Sequence, residues 1–364
     1  MSQRQSANPA GRHLYMDFLR ILSCFLVIVN HTNSYVFTVE TPATPQWFLS
    51  IGWYYFSKMA VPLFVMASGA TLLSRQDSYL RAGRRFLRII LVLIVFSYLY
   101  YLFGLWKTGW SWRQAVHFPG FLSAIWQERI TDSFWYLYFY AGLLVMLPLL
   151  QRLAKSASKK DLRYLLMVSF GANALWPLIT HYAPGLALPQ YFDFPLFSIF
   201  IGLFFAGHYL HAYTNPKNIY LWLCPLVIAL MLVLASHLTA LEAARLPAGE
   251  KYWFMDERTA PAFPVVLCAL SAMLFAKSAF AKREETRGFS ARSVRVLLSL
   301  SACSFTIYLL QDLLIVETRY RVFVPLCGAL PAFVAVLIWE IGVFAALLPI
   351  AWLLKRVPLL KKII

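Results

Sequence analysis

Ten apolar runs divide this chain of 364 residues almost from end to end, and each is near the roughly 20 residues that cross a bilayer as a helix. They lie at 14–37, 47–73, 86–106, 131–150, 162–181, 194–212, 218–239, 260–279, 295–317 and 326–354. Hydrocarbon offers no partner to backbone N–H and C=O groups, so runs of this length cross it as helices that bond internally. The expected architecture is all-α: a polytopic bundle of about ten transmembrane helices. A tail at 1–13, a membrane domain at 14–354 and a second tail at 355–364 complete it. Charged residues make up 13% of the chain. A soluble domain carries about 25%, and so few charges could not cover a water-exposed body of this size. Arg4 and Arg12 ahead of the apolar stretch 21–29 imitate a secretory leader. The following Asn30-His31-Thr32-Asn33-Ser34 lacks a small-residue cleavage pattern, so the first run reads as a retained helix.

The net charge of +17 would point to nucleic acid in a soluble protein. In a membrane protein the place of the charges matters more. With the N-terminus inside, the inner segments hold 23 Lys and Arg and the outer loops hold 8, with Arg20 and Lys58 left inside helices. That asymmetry predicts both termini in the cytoplasm, with the lipid bilayer as partner and no nucleic acid. Cys24, Cys224, Cys268, Cys303 and Cys327 stand singly in or beside apolar runs, so neither a disulfide framework nor a metal site is expected. Two long outer loops mix charge and aromatics: Trp110, Trp112, His117, Trp126, Glu128 and Arg129 in one. The other carries Glu242, Arg245, Glu250, Lys251, Tyr252, Trp253, Asp256, Glu257 and Arg258. They read either as solvated connections or as a cover over a cavity for a polar, carbohydrate-like ligand.

Ionisable groups inside the bilayer cost about 2.5–3.5 kcal/mol each on insertion scales, so each one marks a candidate site. The first helix carries Asp17, Arg20 and His31. Eleven positions at 100° each return His31 to within roughly 20° of the Arg20 face, about 16 Å farther along the axis. Asp17 is within i,i+3 reach of Arg20. The three form one polar stripe, unless Arg20 snorkels to one interface and His31 sits at the other. Lys58, about 11 residues into the second run, is too deep to snorkel easily and is expected to face a cavity. The string Val61-Pro62-Leu63-Phe64-Val65-Met66-Ala67-Ser68-Gly69 that follows predicts a distorted helix. Arg81, Arg84, Arg85 and Arg88 share one face at the start of the third helix. Guanidinium forks at a helix N-terminus suit phosphate oxygens, and acidic lipid headgroups equally.

These residues resemble the acyltransferase 3 family of integral membrane acyltransferases. Asp17-Phe18-Leu19-Arg20 followed by His31 is similar to its first-helix signature, and the Val61–Gly69 string to its second-helix motif. Arg85-Phe86-Leu87-Arg88 matches its basic third-helix start, and Phe134-Trp135-Tyr136-Leu137 its fourth-helix string. Phe205-Ala206-Gly207-His208-Tyr209-Leu210 and Ser304-Phe305-Thr306-Ile307-Tyr308-Leu309 resemble its later motifs. The cation ahead of the V-P-L-F string is most similar to stand-alone O-acetyltransferases of the enterobacterial common antigen type. Where the family often has His, this chain has Gln311.

The resemblance implies an acyl-CoA donor, in this reading acetyl-CoA, and a cell-envelope carbohydrate hydroxyl as acceptor, in the bacterial inner membrane. It implies catalytic work for His31 and Arg20, with Asp17 orienting Arg20, and CoA contacts for Arg84, Arg85, Arg88 and Ser68. Depth in the membrane suggests Lys58 as an oxyanion partner. Trp135, Tyr136 and Tyr138 are candidates to stack on sugar, or form an ordinary aromatic belt. A transporter or flippase for lipid-linked glycans is the competing reading, although no inverted repeat is visible.

Overall fold

The computed structural model describes residues 12–37, 40–109, 113, 116–127, 130–187, 198–246, 252–253, 262–361 and 363. Among them the regular structure is helical throughout, with no strand. Nine helices in this set are long and apolar enough to cross a membrane. In chain order the bundle is α1 (Leu14–Phe37), α2 (Pro45–Leu72), α3 (Tyr79–Lys107), α4 (Asp132–Ser156), α5 (Lys159–Tyr182), the shorter α6 (Ile199–Tyr213), α7 (Tyr220–Ala243), α8 (Phe263–Thr286), α9 (Ala291–Ala329) and α10 (Ala332–Leu354). The expected last run at 326–354 needs correction: residues 326–329 close α9, and α10 begins after Pro331.

α1 is the central helix, packed by α2, α8, α9 and α10. Leu19, Cys24, Leu26, Ile28 and Val29 have no exposed surface. The peripheral α3 instead exposes Leu87, Leu91, Val95 and Leu99 at i,i+4 spacing, an apolar stripe suited to lipid. Two motif strings noted in the sequence meet where α2 crosses α6. A Cβ on Gly69 would lie 1.8 Å from the Phe204 carbonyl oxygen, and one on Gly207 would lie 1.9 Å from that of Met66. Backbone therefore rests on backbone at both points, the close approach that small residues permit between membrane helices.

Prolines account for the irregular turns. Pro62 offers no N–H, and its ring conflicts with the carbonyl four residues back, that of Lys58. The helix is interrupted there, with one segment ending at Ser57 and the next starting at Ala60. Wide π turns at Gly171–Leu175 and Arg319–Phe323 likewise precede Pro177 and Pro325.

α1 begins and α10 ends at one end of the bundle, since Asp17 meets Ser301 and Lys355 meets the neighbouring Ala302 carbonyl. The third-helix arginines lie at this same basic end, where Arg88 bonds the Ile363 carbonyl at 2.9 Å. Lys277 reaches three carbonyls at the close of α6, of Leu210, His211 and Thr214, at 2.5–2.9 Å. It caps orphaned acceptors there.

Candidate active site

The polar stripe of α1 is present, and its partners differ from the expected pairing. Asp17 is buried and takes two bonds from Arg12, at 2.7 and 2.9 Å, and one from the Ser301 hydroxyl at 2.6 Å. Its contact with Arg20 is longer, 3.5 Å. A charged bidentate pair is the stronger bond, so Asp17 anchors the start of α1 to α9 through Arg12 and Ser301. Arg20 keeps most of its guanidinium for other partners.

Near it stands Tyr140. Its phenol lies within electrostatic reach of Arg85, Arg20 and Arg88, and both it and Tyr136 interact with the Ser68 hydroxyl. The two tyrosine rings stack at 5.9 Å, and Tyr136 also meets Tyr308 edge-on at 6.0 Å. Both rings lie deep within the bundle yet retain accessible surface. Five residues singled out in the sequence, Arg20, Ser68, Arg85, Arg88 and Tyr136, are thus brought together from four helices. Tyr140, which organises them, carried no distinctive sequence signal among the aromatics of its helix.

The third-helix arginines do not share one set of partners. Arg81 and Arg85 both reach Asp77, at 3.3 Å each, and Asp77 is held in turn by Gln151. Arg84 is exposed and is not among the charges acting on Tyr140. Trp135 packs on Phe200, and the exposed Tyr138 donates to the Ile125 carbonyl at 3.3 Å.

His31 stands farther along α1 and is half-buried, and among the described residues no group hydrogen-bonds its ring. The next residue, Thr32, lies 2.9 Å from Oε1 of Glu340, whose Oε2 accepts from Trp53 Nε1 at 3.0 Å. Glu340 has no exposed surface. It is the sole ionisable residue of α10, a signal that intramembrane charge alone could have flagged. Lys58 sits at the break in α2, its ammonium 4.7 Å above the Tyr54 ring. Cation–π contact keeps this charge in place without an anion.

α1 and α9 run parallel, as the Asp17–Ser301 and Cys24–Ser304 contacts show. Seven residues, about 10.5 Å, beyond Cys24 and Ser304 stand His31 and Gln311, so they share a level. Gln311 has no exposed surface, and among the described residues neither its amide nitrogen nor its oxygen has a partner.

Of the outer-loop residues, 110, 112, 128, 129, 250, 251 and 256–258 lie outside the described set. Trp126 is exposed, as are His117 and Arg245. Glu242 and Trp253 form an internal clasp. Glu242 binds His181 at 2.5 Å and the Trp253 N–H at 3.0 Å, and His181 stacks on Trp253 at 4.7 Å. Burial and the nearby Glu242 carboxylate push the Tyr252 phenol up.

No curated protein and no solved structure matches the chain. A family model described as an acyltransferase domain matches residues 13–356, which takes in every helix from α1 to α10. The multi-pass bundle is therefore that of a membrane acyltransferase, and the chain belongs to the acyltransferase 3 family.

Proposed function

We propose that this protein moves an acyl group, acetyl in our reading, from acyl-CoA to a hydroxyl of a cell-envelope carbohydrate. The convergence of Arg20, Arg85 and Arg88 on Tyr140 and Ser68 carries this reading. It supplies a cationic mouth for CoA phosphates at the foot of the α1 stripe. Guanidinium groups bind phosphate oxygens with directed, charge-assisted bonds. The pantetheine arm then runs past Tyr140, Ser68 and Tyr136 toward His31. The separation of Arg20 and His31, about 16 Å of helix rise, suits such an arm.

At the thioester, the His31 imidazole takes the proton of the acceptor hydroxyl as its oxygen attacks the carbonyl carbon. The Lys58 ammonium, held over the Tyr54 ring at the helix break with no ion pair among the described residues, faces the charge that develops on the carbonyl oxygen. Collapse of the tetrahedral species breaks the carbon–sulfur bond, and the CoA thiolate recovers the proton from the imidazolium. Glu340 holds Thr32 and Trp53 and so fixes the wall beside His31. The positive-inside asymmetry supports both termini in the cytoplasm, with the CoA mouth facing it, in a bacterial inner membrane. Lys58 ahead of the V-P-L-F string, the feature that resembles stand-alone O-acetyltransferases in the sequence, favours a glycan acceptor in this reading.

Purified protein with labelled acetyl-CoA tests this reading. CoA binding is expected to persist in His31→Ala, with turnover lost. Arg85→Ala with Arg88→Ala is expected to lose CoA affinity. Protein that binds glycan lipids and not CoA would overturn the reading in favour of a transporter.

A further inference from the structure

The basic end carries a second feature that acyl transfer does not use. An open groove of about 780 Å3 lies between the end of α8 and the starts of α1, α7 and α9. Lys282, Arg283 and Arg287 form its rim, and Phe18, Leu221 and Leu297 are among the apolar residues that floor it. An aromatic wall continues the floor outward. Phe18 meets Phe280 at 5.5 Å, Phe280 stacks on Phe289 at 5.4 Å, and the Arg283 guanidinium stands 5.4 Å above the Phe289 ring. The three cations are exposed, and among the described residues none forms an ion pair. The adjacent Glu284 and Glu285 do not line the groove.

Basic residues at a helix end are ordinary in a membrane protein. An apolar trough beneath them is not required by that rule. Phe18 and Leu297 lie four and six residues inside their helix ends. Lys282 and Arg283 lie four and three residues inside the end of α8, with long stems that let their charged heads reach outward past the apolar residues. Exposed cations reaching outward over an apolar trough match one class of molecule. We propose that the groove binds an anionic glycerophospholipid, with its phosphate among Lys282, Arg283 and Arg287 and its chains along Phe18, Leu221 and Leu297. Phe18 stands between Asp17 and Arg20, so an occupant would brace the start of α1 beside the acyl-donor mouth.

Native mass spectrometry of the full chain, released from mixed dioleoyl-phosphatidylglycerol and dioleoyl-phosphatidylcholine, tests the assignment. Phosphatidylglycerol should be retained with at least about tenfold preference, since each basic side chain near the surface contributes to anionic-lipid affinity. Lys282→Gln with Arg283→Gln and Arg287→Gln should abolish the preference. Arg292→Gln with Arg295→Gln, which alters cations outside this groove, should keep it. Should the triple variant not fold, Leu297→Trp, which fills the trough, should reduce retention of phosphatidylglycerol. Equal retention of the two lipids, or a preference that the triple variant preserves, would overturn the proposal. So would displacement of phosphatidylglycerol by millimolar adenosine 3′,5′-bisphosphate, which would make the groove a nucleotide site. The readout is binding alone, so it fails independently of the acyl-transfer reading.

Discussion

The two ends of the bundle both place carboxylates, aromatic rings and basic groups together, and they use them in opposite ways. At the far end, Glu242 is consumed by His181, Tyr182 and the Trp253 N–H, with the imidazole stacked on the indole. Donors and acceptors match within the cluster, and a ligand has little left to bind. At the basic end two carboxylates face five arginines: Asp17 takes Arg12 and, at longer range, Arg20, Asp77 takes Arg81 and Arg85, and Arg88 meets the neutral Ile363 carbonyl. Similar residue types therefore form a fastening in one place and an anion receptor in the other. Surplus charge, more than the mere presence of charge, distinguishes the functional region.

Substitutions can break this contrast. The largest effect is expected for His31→Ala, with turnover falling about 10²–10⁴-fold while CoA affinity stays; single-turnover kinetics alongside a CoA binding isotherm would show it. Next is Gly207→Leu, which forces the α2–α6 backbones apart. Overpacking of this kind costs about 1–3 kcal/mol or more, visible as a lowered Tm. Glu242→Ala should follow, stranding His181 and the Trp253 N–H at about 1–3 kcal/mol of stability with the KM for acyl-CoA unchanged. A KM change in that variant would show that the far end is part of the donor site. Gln311→Leu is expected to have the smallest effect on stability. Removing two unpaired buried polar groups should leave Tm level or raised by the equivalent of about 1 kcal/mol. A loss of turnover in a stable Gln311→Leu protein would assign the amide to a ligand beside His31.

The helical runs were readable because a bilayer admits so few solutions: an apolar run near 20 residues has to be a helix. The α1 stripe was readable because 100° per residue places Asp17, Arg20 and His31 without reference to any other helix. The break in α2 was also foreshadowed, since Pro62 acts on the carbonyl four residues before it. Pairing was another matter. The i,i+3 rule favoured Arg20 for Asp17, yet Arg12, outside the helix, made the better fork. Four arginines sharing a face looked equivalent, and Asp77, Tyr140 and the Ile363 carbonyl gave three of them different surroundings.

What the sequence determined by itself is the solvent of this protein, the all-helical character of its apolar runs, and the polar face of its first helix. Periodicity and length are local properties, and lipid penalises every alternative. What only the tertiary structure decided is which charges are satisfied and which remain available. Ser301 is 284 positions from Asp17, and Glu340 is 308 from Thr32. Whether a buried charge is spent or free depends on atoms within a few ångströms, and those are set by how remote helices cross.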